Sequence, residues 1–526
     1  MTLSKPNASG ATMTRRRTDS YSPMSGLCAT CLEGCPGLCE VGMSTYRGAE
    51  MIYPQPFGKV TAGAEKSYPY DFSYINIMGT AVGAVGIDAD SDKAIFPNVN
   101  LETRLGRDGS LKLRLPWLVA GLGSTNIAKQ NWDGLAIGTA ISGVPLTIGE
   151  NVCGMDPESI IENGRVVKSP DLEYRVKTYQ RWQEDGYGAI ILQANVEDTR
   201  LGVQEYALEK LGVEAVELKW GQGAKDIGGE VKLTSLERAQ LLKSRGYVVV
   251  PDPDDPTVQQ AFKAGAIHEF ERHSRPGMVS KEAFLARVQE LRDAGAKYVT
   301  LKTGAYRPAD LARAVRFASE AEVDLLTVDG AGGGTGMSPW PMMNEWGVPT
   351  LEIEALLYEY LERLAVQKAY IPPVAIAGGF SLEDHVFKGI ALGAPYVKAI
   401  AQARAPLTAC MVGKTVGEIV KKGAGKIVDT YGKTVEEIFV LAEQLRARYG
   451  DAYKDLPTGA IGLYTYYARV AQGLRQLMAG ARKFALEHIT RDDIAALTRE
   501  VAELTGISYV MDLDRDEVDR ILKGKS

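Results

Sequence analysis

The chain has 526 residues, of which 45% are hydrophobic and 24% charged, and its formal net charge is −6. That length exceeds one ordinary core, the balance suits a globular protein of enzyme size, and the acidic excess argues against nucleic acid as a main partner. No apolar run approaches membrane-spanning length and none follows Arg15-Arg16-Arg17, so neither an anchor nor a secretory signal is read and a cytoplasmic location is expected.

In chain order, the first 25 residues are polar and aperiodic, the pattern of an arm without a core of its own. Four of the chain's six cysteines then follow within twelve residues: Cys28, Cys31, Cys35 and Cys39. A disulfide framework would be spread more widely over a chain of this size. The spacing C-x2-C-x3-C-x3-C, with Pro36 and Gly37 between ligands, lets one continuous loop aim four thiolates at a point. Four thiolates suit an iron–sulfur cluster or tetrahedral zinc. A zinc knuckle usually joins two separated pairs, so the single loop favours a [4Fe–4S] cluster. The expected regions are an arm and cysteine-rich segment (1–60), an irregular, partly β docking segment (61–116), a main domain (117–415) and a helical region (416–526).

From residue 117 short apolar runs alternate with helical stretches, as in parallel α/β proteins. The expected strands are Trp117–Gly121, Pro145–Gly149, Ala189–Ala194, Ala215–Lys219, Tyr298–Lys302, Leu325–Asp329, Pro373–Ala377 and Tyr396–Ile400. Eight is the number that closes a (βα)8 TIM barrel. Leu236–Ser244 and Lys281–Ala294 read as helices between strands, and the Asp- and Pro-rich span Pro251–Arg275 as an insertion near the barrel mouth. Beyond Ala405 the expected helices are Val416–Lys422, Val435–Tyr449, Ala460–Met478 and Arg491–Leu504.

In such a barrel the chemistry sits where strands end. Leu325–Asp329 breaks at once into Gly330 and the run Gly332, Gly333, Gly334, Thr335, Gly336, and Pro373–Ala377 breaks into Gly378-Gly379. Glycines packed this densely let backbone N–H groups approach an anion, so the two turns together point to a phosphate-bearing cofactor. The other strand ends offer Ser124, Glu150, Gln193, Lys219, Gln222, Lys225, Lys302 and Gln402. Lysines there can face a flavin pyrimidine, where negative charge develops on reduction. Lys302 closes an apolar run and would point inward.

The segments GLGSTN (Gly121–Asn126), TIGEN (Thr147–Asn151), LKWGQGAKDIGG (Leu218–Gly229), VTLKTG (Val299–Gly304), VDGAGGGTGMSP (Val328–Pro339) and AGGFSLEDHVFKGIALGA (Ala377–Ala394) resemble, in order and spacing, the FMN-binding synthase domain of glutamate synthases. The resemblance implies a (βα)8 barrel holding FMN. Lys302, Asp329, Gly330, Gly333, Gly334, Thr335, Gly378, Gly379 and Gln402 would bind the cofactor, with Ser124 near its ring. Glu150, Gln222 and Lys225 would line the site of a 2-oxo acid, with Lys219 and Arg307 as further cations for a dicarboxylate. It also implies reduction of 2-iminoglutarate, formed from 2-oxoglutarate and ammonia, to glutamate.

Three departures accompany the likeness. Met1 is followed by Thr2, so an N-terminal glutaminase domain is not expected. Cys410 stands alone where the family's [3Fe–4S] cysteines should follow the last strand, and the family's histidine-aspartate motif reads His273-Ser274-Arg275-Pro276. The expectation is therefore an oxidoreductase fed through the Cys28–Cys39 cluster by a separate electron-donor protein, with ammonia free or supplied by a glutaminase subunit, and open to homo-oligomerisation. A related imine reductase, such as an N-alkyl glutamate synthase subunit, and an electron-relay flavoprotein subunit are the alternatives. Cys153 reads as a buried, inert thiol.

Overall fold

The computed structural model describes residues 40–47, 68–223, 230–267, 269–333 and 346–524. Its centre is a closed barrel of eight parallel strands: β1 (Trp117–Leu122), β2 (Leu146–Ile148), β3 (Ile190–Ala194), β4 (Ala215–Lys219), β5 (Tyr298–Thr303), β6 (Leu325–Asp329), β7 (Val374–Ala377) and β8 (Val397–Gln402). Each pairs with its neighbours in sequence, and β8 closes on β1. All eight fall within a residue or two of the expected runs. Alternation sorts their side chains. Val119, Leu192, Val216, Leu301, Val328, Ile376 and Ile400 turn outward into the main core beneath the helices. Leu118, Ile191, Ala215, Tyr298, Leu325, Ala375 and Ala399 turn inward.

The inward set is completed by Leu105, Leu111 and Leu113. These belong to an antiparallel hairpin, Thr103–Leu105 with Leu111–Leu113, in the docking segment. It plugs the N-terminal end of the barrel and is fastened there by Arg107 to Asp324 (3.2 Å) and by Ser110 Oγ to the Tyr298 hydroxyl (2.6 Å). With the floor sealed by apolar side chains, polar groups higher in the lumen face only the opposite end.

The helical layer wraps one side of the barrel. We label α1 (Glu40–Arg47), α2 (Trp132–Ile141), α3 (Arg404–Lys422) and α4 (Thr458–Gly480). α4 packs on α1, α2 and α3. Close approach is paid for in glycine: a Cβ on Gly134 of α2 would stand 2.5 Å from Cys410 Sγ, and one on Gly413 of α3 would stand 2.5 Å from the Thr458 carbonyl. α3 runs through residue 415 without a break. α1 begins directly after Cys39 and is built into this layer, its Tyr46 ring meeting Phe439 and Tyr431 edge to face.

Three segments differ from expectation. Arg491–Leu504 is not one helix: Ile494–Ala496 is a strand paired antiparallel with Ile75–Ile77, and a helix follows only at Arg499–Thr505. A partner strand some 400 residues away overrides the local helical pattern. Val435–Tyr449 is split into Val435–Ile438 and Ala442–Tyr449, because Phe439 leaves the helix to be buried against Tyr46. The insertion is larger than Pro251–Arg275. It begins at Glu230 and folds as an antiparallel sheet, Glu230–Leu233, Phe270–His273 and Val248–Val250 in spatial order. Leu236–Ser244 lies on this sheet, in a small core with Leu233, Tyr247 and Phe270, and not in the barrel's helical ring.

Candidate functional site

Strand register builds the lumen in rungs. Gln193 on β3, Glu217 on β4 and Thr300 on β5 stand side by side, and Lys219 and Lys302 are neighbours on the next inward level. Glu217 is fully buried and accepts a 2.5 Å hydrogen bond from Gln193 Nε2. Burial pushes its carboxyl above the ordinary range, against the opposing pull of Lys302 and Gln193. Glu217 was not singled out by sequence reasoning. The signal was available, since it stands two residues before Lys219 and therefore on the same face of the strand.

Two ion pairs sit above that rung. Lys219 Nζ donates to Glu150 Oε2 at 2.6 Å and to Gln222 Oε1 at 2.9 Å. Lys302 Nζ lies 3.2 Å from Asp329 Oδ2. Lys302 is only 5% exposed. Burial alone would lower its pKa, but Asp329 and Glu217 outweigh it and hold the ammonium above its ordinary value. The structure thus brings together Glu150, Lys219, Gln222, Lys302 and Asp329 from four different strand ends.

The two glycine turns also meet. Gly330 N–H donates to the Ala377 carbonyl at 2.9 Å. A Cβ on Gly333 would lie 3.6 Å from Gly378 Cα, and one on Gly378 would lie 3.0 Å from the Gly330 carbonyl oxygen. Gly378 has φ 126° and Gly379 φ 109°, conformations that side chains resist. Thr350, at the start of the helix Thr350–Val366, pins the pair by donating to the Gly378 carbonyl at 2.8 Å, with the Ala331 carbonyl 3.1 Å away. Sequence reasoning missed Thr350, whose role depends on a contact across nearly thirty residues. Its result is a cradle of bare backbone beside a buried lysine, which fits a phosphorylated, electron-accepting ring.

The remaining expected residues lie as follows. Ser124 is half-buried just after β1, ahead of the short helix Asn126–Gln130. Gln402 does not enter the lumen: the inward residues of β8 are Ala399 and Ala401, and Gln402 donates outward to the Phe380 carbonyl (3.3 Å) and the Tyr466 hydroxyl (3.4 Å). Its Oε1 is buried with no hydrogen-bond partner among the described residues. Arg307 is exposed at the N-terminus of Pro308–Glu320. Lys225, Gly334, Thr335 and the four cysteines 28, 31, 35 and 39 lie outside the described residues. Among the described residues no group of three or more His, Cys, Asp or Glu side chains could hold a metal ion. Cys153 and Cys410 are both buried free thiols, and burial pushes Cys410 up to about 12 and Cys153 higher still. No helix among the described residues is long and apolar enough to cross a membrane.

Residues 273–414 match the family model described as "Conserved region in glutamate synthase". A curated relative, the glutamate synthase large subunit-like protein YerD of Bacillus subtilis (strain 168), is 26% identical over 191 residues, which is 35% of this chain and 32%, about a third, of the relative's length. Among solved structures, the flavin-binding domain of baker's yeast flavocytochrome b2 aligns with TM-score 0.44 and 14% identity over 88% of this chain and 84% of that one. A Pediococcus acidilactici protein described as a putative lactate oxidase aligns with TM-score 0.41 and 14% identity over 78% and 81%. Likenesses that distant add nothing to the strand pairing, which establishes the barrel by itself. The matched residues run from the last insertion strand through β5 to β8 into α3 and contain Lys302, Asp329 and both glycine turns, so this part of the barrel is similar to the conserved region of glutamate synthase.

Proposed function

We propose that this protein is an FMN-dependent oxidoreductase of the glutamate synthase type, reducing the imine of 2-oxoglutarate and ammonia to glutamate. The observation that carries the reading is the convergence of two glycine turns beside the buried Lys302–Asp329 pair, within a segment that matches the glutamate synthase family model. When bound, FMN would supply the hydride. Gly378 and Gly379 would hold its phosphate through backbone N–H groups, Gly330 and Gly333 would leave room for its close approach, and Lys302 would offset negative charge on its ring.

The chain's own residues supply the rest. Lys219 Nζ, shared between Glu150 and Gln222, is the described cation with a route to a substrate carboxylate, and Lys225 in the adjoining loop is the second candidate. Glu150 Oε2 is the counter-charge suited to a protonated imine, and it would favour that form over the neutral one. The sealed floor restricts water access to this end. Electrons would arrive from a separate donor protein, and the Cys28–Cys39 loop is the proposed entry point on the strength of its spacing.

The test is direct. Protein purified without oxygen should carry flavin and iron–sulfur absorption, and with chemical reductant, ammonia and 2-oxoglutarate it should form glutamate. A colourless protein that takes up no FMN would end this reading. Turnover with methylamine in preference to ammonia would redirect it to an N-alkyl product.

A further inference from the structure

Asn151, the residue after Glu150, is held in the left-handed region at φ 68° and is buried. Asn tolerates this conformation better than other side chains do, and at a buried position it must still be held by its surroundings. Here it is. Asn151 N–H donates to Asp198 Oδ2 at 2.8 Å, and its carbonyl accepts from Met155 N–H at 3.0 Å. Its side-chain oxygen faces donors from three directions: Asn195 Nδ2 at 3.1 Å, the Tyr247 hydroxyl at 3.1 Å and Ser274 Oγ at 3.2 Å.

Two of these donors, Tyr247 and Ser274, come from the insertion and not from the barrel. Tyr247 reaches Asn151 across Gly154, where a Cβ would stand 1.9 Å from its hydroxyl. Ser274 is in turn held by Arg272, which donates to it at 2.8 Å while its guanidinium lies over the Tyr247 ring. Next door, a Cβ on Gly123 would stand 2.5 Å from the Glu150 carbonyl oxygen, so the Glu150 backbone has no room on that side either.

We propose that Tyr247 and Ser274 are positioning residues: through the Asn151 amide they fix the peptide of Glu150 and thereby the Glu150–Lys219 ion pair. The insertion is then part of the site's machinery and not a decoration of the mouth. The assignment deepens the proposed function and rests on it for the meaning of the ion pair, but the geometry it invokes is testable without any substrate.

The experiment reads the accessibility of Lys219 by brief acetylation of the full-length protein followed by peptide mass spectrometry. An ammonium held against a carboxylate reacts slowly, so releasing Glu150 should expose it. The Tyr247→Phe/Ser274→Ala variant is expected to raise the Lys219 labelling rate at least about 5-fold, as Glu150→Gln does, and adding it to Glu150→Gln should give no further rise. Ser274→Thr, which keeps the hydroxyl, should label as the parent does. Unchanged labelling in the double variant, or effects that multiply in the Glu150→Gln background, would overturn the proposal. Thermal melting identifies a variant that has lost its fold, in which case Tyr247→Phe alone is read in the same cycle. Absence of glutamate formation by the parent, with this labelling pattern intact, would count against the proposed function and leave the positioning role standing.

Discussion

Lys302 and Lys219 are register partners on β5 and β4, yet each ammonium is tied to a carboxylate from a different strand end, Asp329 for the first and Glu150 for the second. Like charges side by side in a sealed lumen would repel strongly, and the two carboxylates, with Glu217 one rung below, are what makes the arrangement tenable. Site and stability are therefore coupled at these residues.

Replacing Lys302 by Met should leave Asp329 and Glu217 without their main cation. Breaking a buried pair from one side typically costs about 3–5 kcal/mol, because the remaining charge stays buried. Urea unfolding at neutral pH should show a loss of that order for Lys302→Met, with most of it recovered in Lys302→Met/Asp329→Asn. Equal stabilities of the single and double variants would mean that the pair is not an energetic unit.

The junction of the glycine turns gives a second expectation. Thr350→Val removes a hydroxyl that serves the Gly378 carbonyl and lies beside that of Ala331, both buried. Leaving a buried carbonyl unsatisfied costs about 1–3 kcal/mol. FMN retention after gel filtration should fall with it, while Thr350→Ser should retain both. Gly378→Ala should be worse than Thr350→Val, since its Cβ would stand 2.2 Å from Thr350 Oγ1 at a φ of 126°. Full FMN occupancy in Gly378→Ala would separate these turns from cofactor binding.

The helical layer is open to a similar test. Gly134→Val would place new carbons against Cys410 Sγ and the Gly459 backbone. Overpacking of this kind costs about 1–3 kcal/mol. The melting temperature should drop accordingly, and with it the stability of the barrel, because α3 follows β8 directly and α2 lies between β1 and β2. A separate, lower transition confined to the helical layer would show that it unfolds on its own.

The barrel was legible because most strands are short apolar runs cut off by glycine or a charged residue, a local signal that does not depend on partners. Lys302 could be placed inward for the same reason, as a charge terminating such a run. What could not be read depends on distant contacts. Ile494–Ala496 looks helical until Ile75–Ile77 pairs with it. Gln402 stands at a strand end like the other site residues, but parity on β8 turns it away from the lumen, as the inward Ala399 and Ala401 reveal. Asn151 is a residue type that tolerates left-handed backbone, but nothing local marks it out, since the donors that hold it come from positions 195, 247 and 274.

Asp198 supplies the pH dependence. It is fully buried, accepts from the Asn151 N–H, and has one oxygen, Oδ1, without a hydrogen-bond partner among the described residues. Burial, aided by the nearby Glu150 charge and opposed by the Asn151 N–H, raises its pKa from 3.8 to about 7. The unfolded chain therefore releases this proton near pH 4, whereas the folded protein keeps it until about pH 7. Within that window the folded state binds more protons, so this group's contribution to stability falls as pH rises and becomes flat above about 7. At ~1.4 kcal/mol per pH unit the change is on the order of 4 kcal/mol. Asp198→Asn keeps an acceptor for Asn151 and removes the titration. Urea unfolding at pH 4.5 and 7.5 should show a clearly smaller decline for Asp198→Asn than for the parent, and parallel declines would place the proton elsewhere.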